Sequence, residues 1–399
     1  MRRAALLGLI AALAAWSWQF LTVRYNYGGN WTALYRIRAG MPAPDFLRSE
    51  NLYKFEDTQG YDGQVYHLIA HDPWMRKGSA AAIADASFRY QRIFVPALAW
   101  LLAFGRDSWI DASYFTVILA FVFLGVYWMS GCAVRIGRAP EWGLAFLLAP
   151  ATLVSIDRMT VDIALAAFAA GFANYTFERS APSSKVLAIL TCAALTRETA
   201  LPIVAGYAVY LATRRRLVQA LLAAATALPA AGWYLYLAHH SAGGRSPLGD
   251  YVSWIPFAGY ADRLLHPVRY SISPLKDAAA VALDYAALAA IAIALVFAVR
   301  LAWQRTWNPR ACAVYALAIA AMLIGSRSVW EDVNAFGRVL TPFLLLAAIE
   351  EWNLQTSTSS WIALAPFVLT DARIALDLAA QIHGVIRGAG LSIIRSLLK

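Results

Sequence analysis

The sequence has few charged residues, at 15% of 399, whereas soluble domains carry about 25%. This scarcity, with a hydrophobic fraction of 60% and a mean hydropathy of +0.53, excludes an ordinary soluble domain and indicates lipid as the main solvent. The net charge of +10 arises without a Lys/Arg run interleaved with aromatic residues, because most basic residues stand in short links between apolar stretches. We therefore predict no nucleic-acid partner.

Several signatures of soluble enzymes are also missing. The sequence contains no GxGxxG or GxxxxGK[ST] pattern, which excludes these nucleotide-phosphate cradles, and no GxSxG pattern to start a hydrolase triad. Its three cysteines, Cys132, Cys192 and Cys312, lie in apolar segments without CxxC or paired spacing. They indicate neither a disulfide framework nor a cysteine zinc site.

The N-terminal segment combines Arg2 and Arg3 with an apolar run that continues through Leu21. Ala12-Leu13-Ala14 offers a small-x-small cleavage site, as in a secretory signal. The apolar run, however, approaches the length of ~20 residues that spans a bilayer. We predict an uncleaved anchor helix at 1–22 that runs from the inside to the outside.

Beyond the anchor, one polar stretch is followed by many apolar ones. This order predicts an all-α polytopic membrane protein in which 1–399 form a single domain with about eleven transmembrane helices. Residues 23–112 are the predicted first loop, in which 92–104 form an interfacial helix, because a 13-residue segment containing Pro96 is too short to cross. Residues 113–380 are the predicted bundle, and 381–399 an interfacial tail. The predicted spans are 113–134, 141–156, 161–177, 185–196, 200–212, 217–238, 277–303, 311–326, 338–350 and 360–380.

Basic residues recur on alternate links of this topology. If 92–104 does not cross, the links on the N-terminal side carry one basic group after another, as the positive-inside rule requires of cytoplasmic links. These residues are Arg2, Arg3, Arg135, Arg138, Arg179, Lys185, Arg214, Arg215, Arg216, Arg300, Arg305 and Arg310. We predict a multi-pass inner (plasma) membrane protein whose active site lies on the extracytoplasmic, or periplasmic, face.

Within the first loop, Asp62 precedes Gly63 and a helical pattern of Val65, Leu68 and Ile69. An aspartate at this position is either an N-cap that accepts a backbone N–H or a general base beside the membrane. The neighbouring polar candidates are Gln64, Tyr66 and His67.

Two other groups of this loop compete with that interpretation. Glu56 and Asp57 form an adjacent acidic pair that acts as the base, holds a divalent cation or belongs to a solvated loop. His67 and His71 lie at i and i+4, with Asp72 beside them, but no third strong ligand has zinc-site spacing. We interpret the histidines as a polar helix face near the site, and a divalent cation stays an option.

Five arginines lie at the ends of apolar segments, where charge is costly unless it is paired or used. They are Arg89, Arg92, Arg158, Arg197 and Arg338. Each suits a phosphate, because a guanidinium donates two parallel hydrogen bonds. The alternatives are snorkelling to headgroups for Arg89 and Arg92, pairing with Asp162 and Glu198 for Arg158 and Arg197, and interface anchoring for Arg338. The acidic candidates of the same turns are Asp157, Asp162, Glu198, Glu331 and Asp332.

The segment 61–70, YDGQVYHLIA, is similar to the Trp/Tyr-Asp-Gly-x-x-Tyr-x-x-Ile-Ala stretch of GPI mannosyltransferase-like enzymes and their bacterial relatives. Arg89-Tyr90-Gln91-Arg92 before Pro96, and the segment 195–202, LTRETALP, also look like segments of those bacterial relatives. The order of anchor, acidic loop, short amphipathic segment and many helices resembles the GT-C superfamily of membrane glycosyltransferases.

This resemblance implies transfer of a sugar from a polyprenyl-phosphate donor to a glycan, lipid or protein acceptor outside the cytoplasm. Asp62 would be the base, with Asp57 or Glu56 as alternatives, and the five arginines would hold the donor phosphate. A donor embedded in the lipid bilayer accounts for the missing nucleotide motif. The competing hypotheses are a transporter or flippase of an anionic lipid or glycan, and another membrane transferase such as an acyltransferase or a glycan ligase.

Overall fold

Helices make up nearly all of the regular structure in the computed structural model, which describes residues 2–42, 44–48, 50–56, 58–178, 181–240, 248–270, 272–354 and 359–397. Strands β1 (Ile37–Arg38) and β2 (Lys54–Phe55) form one short parallel pair. Within these residues the predicted helical class is confirmed.

The N-terminal part consists of two long helices separated by a segment of short elements. Its α-helices are α1 (Arg2–Asn26), α2 (Asp62–His71), α3 (Ala86–Arg89), α4 (Phe94–Leu102) and α5 (Asp107–Arg135). Short 3-10 helices lie at Trp31–Tyr35, Asp45–Leu47 and Ser79–Ala82. Because α2 packs on α4 and α5, and α4 packs on α5, the short elements are attached to the bundle.

The remaining helices form the body of the bundle. They are α6 (Pro150–Arg158), α7 (Asp162–Glu178), α8 (Ser184–Thr196), α9 (Leu201–Thr213), α10 (Leu217–Ala225), α11 (Leu228–His240), α12 (Leu248–Tyr251), α13 (Ala258–Leu265), α14 (Pro274–Trp303), α15 (Pro309–Met322), α16 (Arg327–Trp330), α17 (Val333–Leu354) and α18 (Ala365–Leu397). Further 3-10 helices lie at Pro140–Leu148, Glu198–Ala200 and Ser359–Leu364. Proline begins α6, α14 and α15, where its fixed φ favours a helix start.

By length and composition, five helical stretches of the described chain are long and apolar enough to cross a membrane. They are Arg2–Asn26, Asp107–Arg135, Leu217–His240, Pro274–Trp303 and Val333–Leu354. The helices α8 and α15 are apolar but shorter. These stretches support a membrane-embedded helical protein, and the number of about eleven spans stays a prediction.

Some element boundaries differ from the predicted ones. The predicted span 141–156 is divided into a 3-10 helix and α6, because Pro150 cannot continue a preceding hydrogen-bonded helix. Pro229 similarly lies at the second position of α11, so the predicted span 217–238 is divided between α10 and α11. The helix α18 continues without a break through 381, where a separate tail was predicted; residues 398 and 399 lie outside the described residues.

The helix α17 occupies a central position, in contact with α6, α7, α14, α15 and α18. Almost all of its residues are buried, including the charged Arg338 near its start and Glu350 and Glu351 near its end. Each end of α17 therefore brings charge into the middle of the bundle, where it must be paired.

Ion pairs are concentrated at the two opposite ends of α17. The pairs at the C-terminal end of α17 join neighbouring helices and loops: Arg3–Glu141, Arg135–Glu178, Arg300–Glu351 and Arg310–Glu350. Arg138 joins them by donating to the carbonyl oxygen of Trp352. These arginines belong to the links predicted as cytoplasmic, and the contacts gather them at the same end. The candidate site lies at the opposite end, around Arg338.

Candidate active site

The start of α2 is fixed by close backbone packing. Gly60 has a φ of +73°, in the left-handed region, and the chain then turns into α2 at Asp62. A Cβ at Gly63 would lie 2.2 Å from the carbonyl oxygen of Arg158 and 3.0 Å from that of Tyr35. Glycine at 63 is therefore required for α2 to approach the end of α6 this closely.

The carboxylate of Asp62 lies between two guanidiniums. Its Oδ1 accepts a hydrogen bond from Arg89 Nη1 at 2.5 Å, and its Oδ2 accepts one from Arg338 Nη2. The N-cap of α2 is Tyr61, and Asp62 is the first helical residue. The N-cap interpretation of Asp62 is therefore wrong, because the two arginines hold its carboxylate.

Arg338 also begins a series of alternating charges. Its Nη1 donates to Asp162 Oδ2 at 3.1 Å, and Asp162 Oδ1 accepts from Arg197 Nη1. Arg197 Nε lies 3.4 Å from Glu198 Oε1, and Arg92 donates to both oxygens of Glu198, at 2.9 and 3.2 Å. We name the arginine network by its residues: Arg89, Asp62, Arg338, Asp162, Arg197, Glu198 and Arg92. Its four guanidiniums exceed its three carboxylates by one positive charge.

The arginines control the protonation of the network carboxylates. Burial alone would raise the pKa of Asp62, but Arg338 and Arg89 outweigh it and hold the pKa well below its usual range. Burial also opposes the charge of Glu198, whereas Arg92 and Arg197 lower its pKa to about 2. Both carboxylates are therefore ionised at neutral pH. A carboxylate held this way is a weak base until its cations bind another anion.

The network faces a polar cavity of about 500 Å³. The network residues in its described lining are Asp62, Arg89, Arg92, Arg197 and Arg338. Phe88 and Tyr251 form an aromatic wall of the cavity, with stacked rings 5.1 Å apart. A cavity with this excess of cations favours an anionic ligand.

An apolar pocket of about 220 Å³ adjoins the polar cavity. Leu317, Ala320 and Ala321 of α15 and Leu340 and Phe343 of α17 supply much of its lining. The two spaces share the lining residues Phe88, Arg92, Arg197, Tyr251, Val329 and Val339. Together they offer complementary surfaces to a molecule that has an anionic head and a hydrocarbon tail.

Tyr61 lines both the polar cavity and a second polar cavity of about 460 Å³. The guanidinium carbons of Arg158 and Arg338 lie 4.6 and 5.0 Å from the centroid of its ring. These distances are those of cation–π contacts. One aromatic ring therefore contacts a cation from each cavity.

The pairing of Arg158 differs from the prediction. Its Nε lies 3.4 Å from Asp157 Oδ2, and its Nη2 lies 3.8 Å from Asp377 Oδ2. Asp157 is shared with Arg36, also at 3.4 Å. Pairing of Arg158 with Asp162 is therefore wrong, because the network holds Asp162, whereas Arg197 does contact both acids predicted for this pairing.

Three further predicted residues lie at or beside the polar cavity. Gln64 lines it, and its Oε1 accepts a backbone N–H at 3.1 Å. Tyr66 is buried, and its hydroxyl accepts from Arg92 Nη1 at 3.2 Å. Asp332 also lines the cavity, while its Oδ1 accepts the backbone N–H of Asn334 at 2.9 Å. Gln64 and Asp332 therefore stabilise the backbone beside the cavity, and Tyr66 stabilises the network arginine Arg92.

The remaining acidic candidates have no described contact with the network. Glu56 is exposed and is outside the described lining of the polar cavity. Glu331 is 43% exposed and accepts from Arg327 at 2.6 Å. Asp57, an alternative base, lies outside the described residues. The geometry therefore favours Asp62 among the predicted bases.

His67 and His71 do not form a polar face of this site. They belong to a separate group, the histidine cluster, which consists of Glu50, His67, His71, Asp107 and Asp111. Burial raises the pKa of Glu50 to about 7; His67 opposes this shift, while Asp111 and Asp107 add to it. Burial, with a smaller effect of His67, lowers the pKa of His71 to about 4.

Sequence reasoning missed several of these residues. Asp107 and Asp111 lie at i and i+4 at the start of a helix, the same spacing as the two histidines, so a signal was present. Glu50 and Arg36 lie in the irregular part of the loop, where no periodicity marks them. Their partners are brought to them by tertiary packing alone.

Comparisons with protein-family models, with curated proteins and with solved structures find no match to this chain. Function is therefore inferred from the arginine network and the two spaces beside it.

Proposed function

We propose that this protein is a membrane glycosyltransferase that moves a sugar from a polyprenyl-phosphate donor to an acceptor hydroxyl at the extracytoplasmic face. The observation that carries the proposal is the adjacency of the polar cavity around Asp62 and the apolar pocket. The donor phosphate requires cations, and its isoprenoid chain requires apolar surface. Both are available side by side.

The charge of the polar cavity supports a phosphodiester ligand. The arginine network has one excess positive charge, and a sugar phosphodiester carries one negative charge. Arg89 and Arg338 are the arginines nearest to the proposed reaction, because they contact Asp62 directly. Arg92 and Arg197 line both spaces and would meet the donor where its head joins its chain.

The low pKa of Asp62 gives the donor a role in activating the base. In the donor-free protein, Arg338 and Arg89 hold the carboxylate ionised and weakly basic. A phosphate that accepts hydrogen bonds from the same guanidiniums would weaken their hold on Asp62, and the pKa of Asp62 would rise toward its usual range. The base would become competent when the donor is bound.

The proposed reaction is a displacement at the anomeric carbon. The acceptor oxygen forms a bond to that carbon, and the bond between the carbon and the phosphate oxygen breaks. Asp62 takes the acceptor proton, and polyprenyl phosphate leaves with the bonding electron pair. The arginines stabilise the charge that develops on the departing phosphate.

The test is turnover by full-length protein in lipid nanodiscs, with a panel of polyprenyl-phosphate hexoses as donors and a membrane lipid extract as acceptor. We expect Asp62→Asn to reduce sugar transfer by a factor on the order of 10² to 10⁴, since it removes a positioned base. It should bind polyprenyl phosphate at least as tightly as the unaltered protein, because Arg89 and Arg338 are released. Glu331→Gln is the matched control and should retain transfer.

Wild-type transfer by Asp62→Asn would refute this role, and Glu56→Gln and Asp57→Asn would be tested next. A flippase would instead move the intact donor between leaflets of a liposome without splitting the sugar–phosphate bond.

A further inference from the structure

The histidine cluster is a second buried polar group on α2, separate from the arginine network. His67 and His71 are 1% and 0% exposed and lie one helical turn apart. Glu50 reaches both rings: its Oε2 lies 3.7 Å from His67 Nε2, and its Oε1 lies 3.6 Å from His71 Nε2. The ligand atoms of these three residues all lie within 4.8 Å of one another.

The atoms that face this point lack other partners. His67 Nε2, His71 Nε2 and Glu50 Oε2 are buried and make no hydrogen bond within the described part of the chain. Asp111 Oδ1 lies 3.1 Å from His67 Nε2 but out of hydrogen-bond alignment, and it too makes no hydrogen bond to a described residue. Buried polar atoms are costly when unsatisfied, so one shared partner would satisfy all four.

The spacing of these atoms suits a tetrahedral metal ion. Ligands about 2.1 Å from zinc, at tetrahedral angles, lie about 3.4 Å from one another. Three contacts lie near that value: His67 Nε2 is 3.1 Å from Asp111 Oδ1 and 3.7 Å from Glu50 Oε2, and His71 Nε2 is 3.6 Å from the other Glu50 oxygen, Oε1. Because the ligand atoms of His67, His71 and Glu50 lie within 4.8 Å of one another, the side chains would have to draw closer together to enclose one ion.

The second layer of contacts prepares His71 for metal binding. Its Nδ1 lies 3.0 Å from Asp107 Oδ1, and Lys77 Nζ donates to both oxygens of Asp107, at 2.7 and 2.9 Å. A hydrogen bond from Nδ1–H to a carboxylate leaves the lone pair on Nε2, which is the usual arrangement of a metal-binding histidine. The Nε2 that faces Glu50 is therefore the free ligand atom.

The cluster also supplies several oxygen donors. Glu50, Asp107 and Asp111 bring three carboxylates, and Lys77 brings one ammonium. The groups around His67 and His71 therefore combine imidazole nitrogen with carboxyl oxygen, the donor types that zinc accepts.

We propose that His67, His71 and Glu50 bind one divalent transition-metal ion, with zinc as the expected ion and Asp111 as a neighbouring oxygen donor. Imidazole nitrogen favours zinc and similar metals, whereas calcium and magnesium prefer oxygen ligands alone. The ion would join the loop that carries Glu50, the helix α2 and the start of α5. This site does not depend on the proposed glycosyl transfer.

The test is the metal content of purified full-length protein. We expect elemental analysis to find about one zinc per chain, and chelator-treated protein to rebind Zn²⁺ at a ratio of one with a rise in the unfolding temperature. His71→Gln should lose the bound zinc, and Glu50→Gln should weaken binding at least tenfold. His266→Gln is the matched control, because His266 is an exposed histidine 2.9 Å from Asp262, and it should keep one zinc.

A second measurement avoids variants that fail to fold. Unaltered protein loaded with Co²⁺ should develop the intense visible absorption of tetrahedral cobalt. Absence of that absorption together with absence of stoichiometric zinc would overturn the proposal. Equal zinc binding by wild type and by the His67→Gln/His71→Gln double variant would also overturn it, because the metal would then be bound elsewhere.

Discussion

The helix α2 carries two clusters of different chemical composition, the arginine network and the histidine cluster. The arginine network holds four guanidiniums and three carboxylates, whereas the histidine cluster holds three carboxyl groups and two imidazoles, with Lys77 beside Asp107. The helix contributes an acid, Asp62, to the first and two nitrogen ligands, His67 and His71, to the second. The surrounding elements supply the dominant charge of each cluster. The partners of α2, more than α2 itself, therefore set the chemical character of each cluster.

In this comparison the largest effect is expected from Gly63→Ala, a substitution in α2 that should affect one cluster and not the other. Gly63→Ala places a Cβ 2.2 Å from the carbonyl oxygen of Arg158, so the start of α2 must move away from α6. A displacement of about 1 Å at a catalytic group costs on the order of 10² in rate, and we expect sugar transfer to fall by at least that factor. Zinc content should stay at one per chain, because His67 and His71 lie further along the helix.

The matched control is Gly232→Ala in α11, where an added Cβ meets open space. It should retain both transfer and zinc. Loss of zinc with retained transfer in Gly63→Ala would reverse the comparison, since the displaced part of α2 would then be the histidine cluster.

A smaller effect concerns the apolar pocket, which adjoins the polar cavity. Ala320→Phe should fill much of a space of about 220 Å³ and raise the KM for long-chain polyprenyl donors about tenfold. The effect should diminish with donors of short isoprenoid chains, while kcat changes little. Ala316→Phe, one turn earlier on α15 and outside the described lining, is the control. Equal KM values for long-chain and short-chain donors in Ala320→Phe would show that the pocket does not bind the isoprenoid chain.

The smallest effect uses pH to probe the network. Arg92 and Arg197 lower the pKa of Glu198 to about 2 against burial, from an ordinary value of 4.5. A depressed pKa contributes stability that is present above pH 4.5 and is lost as the pH falls through 2. Glu198→Gln should therefore unfold several degrees below wild type at neutral pH, and the gap should narrow below pH 4. Glu331→Gln should show no such gap, and a gap that widens in acid would contradict the pairing.

The sequence was informative where local pattern carries the signal. The helical class follows from hydropathy, and the candidate status of Asp62 follows from the Asp-Gly step before a helical pattern. The ion pairs of the arginine network could not be predicted from the sequence, because Arg338 lies 276 residues from Asp62 and Arg197 lies 35 residues from Asp162. Such contacts depend on how helices pack, which no spacing along the chain records. Pro150 is itself a signal for a helix boundary, but the apolar run on both sides of it favours a single span over 141–156.

The ring of Tyr61 connects the two polar cavities. It contacts Arg338 on the side of the polar cavity and Arg158 on the side of the second polar cavity. A donor that draws Arg338 toward its phosphate would leave the ring with Arg158 alone, so the cation facing the second cavity would change with it. Occupancy of the two cavities would then be coupled through this ring, and by thermodynamic reciprocity a ligand in either cavity would change the affinity of the other cavity by the same factor.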